Sequence, residues 1–189
     1  GMERLTAVVQ GKRDNFGTDL FTPIMETIKE LAKVGTKEID FNDPNVLRSQ
    51  RIIADHVRGA VFLIAEGVEP QNVGRGYVLR RIIRRALLHA RLLDLHGYVL
   101  LNPAMRVIET YSPVYPELSE SEEKVKSILE DEELRFAEVL SKGMERFKKM
   151  LPKVDAFLLY DTYGFPPELT KELAQLHGVE VDWGDFERK

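Results

Sequence analysis

Apolar positions along this chain recur mostly at three- and four-residue spacing, the period of a half-buried helix. Leu20, Ile24, Ile28 and Leu31 predict a helix over 20–34, with Thr18 or Asp19 as its cap and Gly35 as its stop. Asn42 or Asp43, followed by Pro44, opens a second helix over about 44–66, whose inner stripe is Ile52, Ile53, Val57, Val61 and Ile64. Gly67, Pro70, Asn72, Gly74 and Gly76 then mark a loop. A third helix runs to about residue 95 and ends before Gly97. Asn102-Pro103 starts a fourth, through about Tyr111, after which Pro113 and Pro116 break the chain. A long helix over about 120–150 follows, with Ser119 or Ser121 as its cap and Ser119–Glu122 at capping-box spacing. Val125, Ile128, Leu129, Phe136, Val139, Leu140 and Phe147 form its stripe. Segment 155–163 fits a strand or a helix. Gly164-Phe165-Pro166 turns into a last helix over about 166–177, closed by Gly178. The tail, 179–189, reads as a strand that then frays.

Strands do not alternate with helices, so the expected fold is mainly α: an antiparallel helical bundle with a small C-terminal subdomain that has room for short strands. The expected boundaries are a leading segment over 1–18, a helical core over 19–150 and the subdomain over 151–189.

Charge singles out the third helix. The chain as a whole is acidic, with a formal net charge of −4, and its 31% charged residues are mixed in sign. Gly74–Leu93 nonetheless holds six arginines and no acid: Arg75, Arg80, Arg81, Arg84, Arg85 and Arg91. On a helical wheel Leu79, Ile82, Ile83, Ala86, Leu87, Ala90 and Leu93 share one side. Arg80, Arg81, Arg84, Arg85 and Arg91 fall on the opposite arc, together with Leu88 and Leu92. Such a helix can dock on a core and offer guanidinium forks to phosphates. It can equally pair with the acidic stretch 117–133, which includes Glu130, Asp131, Glu132 and Glu133. The density of arginine tilts the reading toward a polyanion.

Two further features are candidates. Asn72, in the loop before the arginine helix, carries an amide that donates and accepts and so can read a base edge. The other reading is a turn residue or helix cap. Asp161, among Tyr160, Tyr163 and a Gly-Phe-Pro turn, is an acceptor when ionised and can take an amino proton from a base. The other reading is a cap or packing corner. Catalytic patterns are weak: the four histidines are scattered without metal-ligand spacing, and neither a nucleophile elbow nor a P-loop occurs. With no cysteine, disulfide frameworks and thiolate-ligated metals are excluded. Apolar runs fall far short of the roughly 20 residues a membrane span needs, so a soluble, cytoplasmic protein without a membrane partner is expected.

Two long segments carry a family resemblance. RIIADHVRGAVFLIAEGVEPQNVGRGYVLRRIIRRA, Arg51 to Ala86, and LYDTYGFPPELT, Leu159 to Thr170, closely resemble the alanyl-tRNA synthetases. ERLTAVVQG, Glu3 to Gly11, is similar to the end of that family's third class II motif and the helix after it. The resemblance implies a ligase that activates alanine with ATP and magnesium and transfers it to tRNA(Ala). It implies that this chain is the helical tRNA-recognition domain, working with catalytic and editing domains of the same polypeptide. Arg4 matches the motif arginine that contacts ATP. The first and second motifs fall outside the chain, as do the zinc-binding residues of the editing domain. No adenylate formation, no catalytic residue and no cofactor or metal site are therefore expected of this segment alone, and Gly1-Met2 reads as a tag remnant and a start methionine. The family reads a G·U wobble pair near the top of the acceptor stem with an asparagine and an aspartate. These roles carry to Asn72 and Asp161, with the arginine helix holding phosphates. The contrasting expectation is a purely structural helical scaffold that positions other domains.

Overall fold

Pro44 opens the helix around which the first half of the chain is built. This helix, α3 (Pro44–Ala65), follows α1 (Met2–Val9) and α2 (Thr22–Ala32) in a computed structural model that describes residues 1–35, 38–181 and 183. Of the two cap candidates it is Asp43 that serves, its carboxylate accepting from the backbone N–H groups of Asn45 at 2.8 Å and Val46 at 3.2 Å. Of the expected stripe, Ile53, Val57, Val61 and Ile64 lie in the core, with Ala54 and Ala60 beside them, whereas Ile52 is only half-buried.

The arginine-rich helix, α4 (Gly74–Leu92), lies antiparallel on α3. The order of their contacts shows this. The Ser49 hydroxyl meets His89 Nδ1 at 3.0 Å, His56 meets Arg85 at 3.1 Å, and Gly59 faces the Ile82 methyl. α5 (Leu101–Tyr111) packs on α2 and α3. Gln50 Nε2 donates to the Met25 carbonyl at 2.7 Å and joins α3 to α2. Where these helices meet, Arg58 lies within 5.3 Å of the ring centres of Phe21 and Tyr111 and pairs with Glu3 at 2.9 Å. A one-turn helix, α6 (Glu117–Glu120), precedes the long α7 (Glu122–Met150).

The chain forms two compact units, Gly1–Glu133 and Leu134–Lys189, and the division falls inside α7. In the second unit Phe136, Leu140 and Phe147 of α7 are buried, as are Leu159 of α8 (Ala156–Tyr163) and Leu169 and Leu173 of α9 (Pro167–His177). Asp155 caps α8 by accepting from Leu158 N–H at 2.9 Å. Gly164, at φ 65°, ends α8, and Gly178, at φ 64°, ends α9.

The fold is mainly α, and no strand occurs among the described residues. Segment 155–163 resolves as helix α8. Val179–Val181 do not form the expected strand, and most of the remaining tail lies outside the described residues. Two cap assignments are corrected. Neither Thr18 nor Asp19 caps α2: Thr18 Oγ1 donates to the Asn15 carbonyl at 2.6 Å, while Asp19 accepts from the Gln10 amide at 2.7 Å. A tight 3-10 turn at Asn15–Gly17 draws Thr18 into a local bond, and Gln10, at the end of α1, takes Asp19. Ser119 lies within α6 and not at the mouth of α7, because the chain after Pro116 makes its own helical turn.

Candidate nucleic-acid interface

The six arginines of α4 occupy different environments, and the simple wheel does not hold along its arginine arc. Leu88, on that arc, is fully buried, and Ala86 to Ala90 are buried without interruption. Arg80 and Arg84 are turned onto one carboxylate. Arg80 Nε donates to Glu132 Oε1 at 3.2 Å, and Arg84 Nε lies 3.5 Å from Glu132 Oε2. The Glu132 side chain is only 4% exposed. Burial of that carboxylate is favourable only with partners such as these. The acidic-stretch alternative is thus realised where Glu132 meets Arg80 and Arg84.

The others differ. Arg75 and Arg81 are exposed, and neither has a carboxylate partner among the described residues. Arg81 lies over the Tyr77 ring at 5.9 Å. Arg85 is half-buried against His56, and Arg91 reaches His96 Nδ1 at 2.7 Å in an exposed setting.

The loop before α4 is held from several sides. Val68 is buried. Gly76 has no room for a side chain: a Cβ there would stand 2.4 Å from the Glu69 carbonyl oxygen and 2.9 Å from Gln71 N. The loop backbone therefore crosses directly over the first turn of α4. One turn further on, Arg80 Nη2 donates to the Pro70 carbonyl at 3.0 Å, and Arg80 Nη1 donates to Asn72 Oδ1. Asn72 is exposed and is not a helix cap, since α4 has Val73 at that position with no side-chain cap bond.

Asp161 sits in the second unit on α8, where Asp155 and not Asp161 makes the cap. It is exposed, and among the described residues its carboxylate has no side-chain hydrogen bond or ion pair. Tyr160 beside it is 51% exposed. The helix end is held by Phe165, buried against Gly143, and by Arg146 stacked 5.3 Å from the Tyr163 ring centre.

Arg4 stands exposed on α1, beside the exposed side chains of Leu5 and Val8. No group of three His, Cys, Asp or Glu side chains among the described residues is placed to hold a metal. These surroundings fit neither ATP nor magnesium nor zinc, and no chemical step follows from them. No helix among the described residues is long and apolar enough to cross a membrane.

Sequence reasoning alone did not single out Glu132, Glu133 or Arg58. A signal for the first two is present: on α7 they fall between Leu129 and Phe136, at spacings of three and four from each, where the inward stripe should be apolar. Arg58 lies four positions after the buried Ala54 and three before the buried Val61 on α3.

The first unit thus carries an arginine-lined helix behind a clamped polar loop, and the second carries an exposed carboxylate. The family described as tRNA synthetases class II (A) matches residues 1–189, and the chain belongs to that family. The resemblance read in Arg51–Ala86 and Leu159–Thr170 is borne out. The chain is 47% identical to the alanine–tRNA ligase of Thermotoga maritima, an alignment covering 100% of this chain and 22% of that protein. It is 45% identical to that of Petrotoga mobilis, covering 98% of the chain and 22% of the relative. With that of Treponema pallidum the identity is 42%, over 99% of the chain and 32% of the relative. The chain thus spans about a fifth to a third of the length of these relatives.

Proposed function

We propose that this chain is the part of an alanine–tRNA ligase that recognises the tRNA(Ala) acceptor stem, in a cytoplasmic enzyme that joins alanine to its tRNA with ATP and magnesium. The observation that carries this reading is the pair of exposed arginines, Arg75 and Arg81, on the helix that follows the clamped Asn72 loop. These two guanidinium groups supply the phosphate contacts, with Arg91 and Arg85 as further cations. Arg80 and Arg84 act through the fold, because both engage Glu132. Asn72 on the first unit and Asp161 on the second are the proposed readers of the wobble pair. The wide minor groove of an RNA helix exposes base edges to such short polar groups. A displaced guanine amino group there suits an unpaired carboxylate. Catalytic and editing domains of the same polypeptide would complete the enzyme.

The test is binding of two short RNA hairpins, one with a G·U pair and one with G·C, at low and moderate salt. The parent chain should prefer the wobble hairpin and bind more weakly as salt rises. Asp161→Ala should reduce that preference more than it reduces total binding. Equal weakening on both hairpins rejects a reading role for Asp161. The scaffold reading draws on the Arg80–Glu132–Arg84 cluster, and a parent chain indifferent to salt and to the wobble pair would establish it instead.

A further inference from the structure

Arginine donates hydrogen bonds and accepts none. This decides the orientation of the Asn72 side chain. Because Arg80 Nη1 meets the Asn72 side-chain oxygen, that oxygen is turned inward, and the amide nitrogen with its two N–H groups is turned the other way. The reverse orientation would set an N–H against a guanidinium N–H.

Arg80 is itself fixed. Its Nε is on the buried Glu132 carboxylate at 3.2 Å, and its Nη2 is on the Pro70 carbonyl at 3.0 Å. Arg84 adds a second cation 3.5 Å from Glu132 Oε2, without a hydrogen bond to it. The guanidinium therefore cannot swing out to a phosphate without leaving a carboxylate with 4% of its side chain exposed short of one partner. Gly76 keeps the loop backbone against α4, so Pro70 and Asn72 both stay within Arg80's reach.

We infer that Arg80, seated on Glu132, is the positioning residue that presents Asn72 to RNA as a hydrogen-bond donor only. The inference rests on the acceptor-stem reading above and deepens it by assigning a polarity. The minor-groove acceptors are the ring nitrogen of a purine and the O2 of a pyrimidine. Asn72 addresses one of these.

Asn72→Asp gives the sharpest test. The carboxylate keeps the shape and the bond to Arg80 but replaces the donor by an acceptor. On the G·U and G·C hairpins this variant should lose wobble preference by about tenfold, the size of one good base contact. Arg80→Gln combined with Glu132→Gln avoids a buried unpaired carboxylate and should lower the preference by roughly fivefold. In the free protein, a cation on the amide oxygen draws electron density from nitrogen. The Asn72 side-chain 15N resonance should therefore shift in the double variant and stay in place in the remote Lys142→Gln. If the parent discriminates while Asn72→Asp discriminates equally well, the donor assignment is overturned and the acceptor-stem reading survives. An unshifted Asn72 resonance in the double variant overturns the role of Arg80. A parent chain without any wobble preference sinks the acceptor-stem reading and the donor assignment with it.

Discussion

The ring of Phe165 occupies the space beside Gly143 so closely that a Cβ on that glycine would lie 2.1 Å from Cδ2. Phe165 follows directly on Gly164, the left-handed residue that ends α8, and it is fully buried. A helix interior normally gains about 1 kcal/mol when glycine is replaced by alanine. At this position the clash should outweigh that gain. Gly143→Ala is expected to destabilise the second unit by about 1–3 kcal/mol, measured by chemical denaturation. Unchanged or increased stability would mean that the ring has another place to go.

Glu133 should make stability depend on pH. It is buried at the start of α5, where its carboxylate accepts from Leu100 N–H at 2.7 Å and Val99 N–H at 3.1 Å. Burial pushes its pKa up to about 7, against the pull of those two donors, and the neighbouring Glu130 adds to the rise. The unfolded carboxyl titrates near 4.5, so between about 4.5 and 7 the folded state binds more protons than the unfolded one. The contribution of this group to stability therefore falls as pH rises through that window, by an amount on the order of 3 kcal/mol at most. Glu133→Gln should remove the fall, and the stability difference between variant and parent should move in the variant's favour from pH 5 to pH 7.5. Parallel pH profiles for the two proteins would refute this.

Arg58 should matter to folding and not to RNA. Its guanidinium faces the rings of Phe21, Tyr111 and Phe62 and bonds to Glu3. Glu3 is held below the ordinary carboxylate range, with a bond to its own backbone as the larger cause and the bond to Arg58 second. Arg58→Ala is expected to cost about 2–3 kcal/mol, because the stacking and packing of the guanidinium disappear. Arg58→Lys should restore only part, because an ammonium lacks the planar face. A full rescue by lysine in thermal unfolding would show that charge alone is at work.

Arg75 and Arg81 should govern the salt response. Replacing both with glutamine ought to weaken binding to G·U and G·C hairpins alike and to reduce the salt slope by about one for each phosphate left without its arginine. An unchanged slope would move phosphate binding elsewhere on the chain. Because the two side chains are exposed, unfolding midpoints should stay close to those of the parent.

The order and extent of the helices were legible from sequence because they rest on local rules. Ile53, Val57, Val61 and Ile64 needed only helical periodicity to be placed inward, and Asp43-Pro44 needed only cap chemistry. Two long motifs were enough to indicate the family. Which arginine meets which carboxylate was not legible, since Arg80 and Glu132 are separated by 52 positions. A helical wheel treats the opposite face as solvent and cannot register a second helix arriving over it. Composition specified an arginine-rich helix and an acidic stretch and left open whether the two would meet. Tertiary packing alone divided those arginines: Arg80 and Arg84 are turned onto Glu132, Arg85 is half-buried against His56, and Arg75, Arg81 and Arg91 are left exposed. A charge on a helix surface keeps its freedom only where no other element removes the water around it.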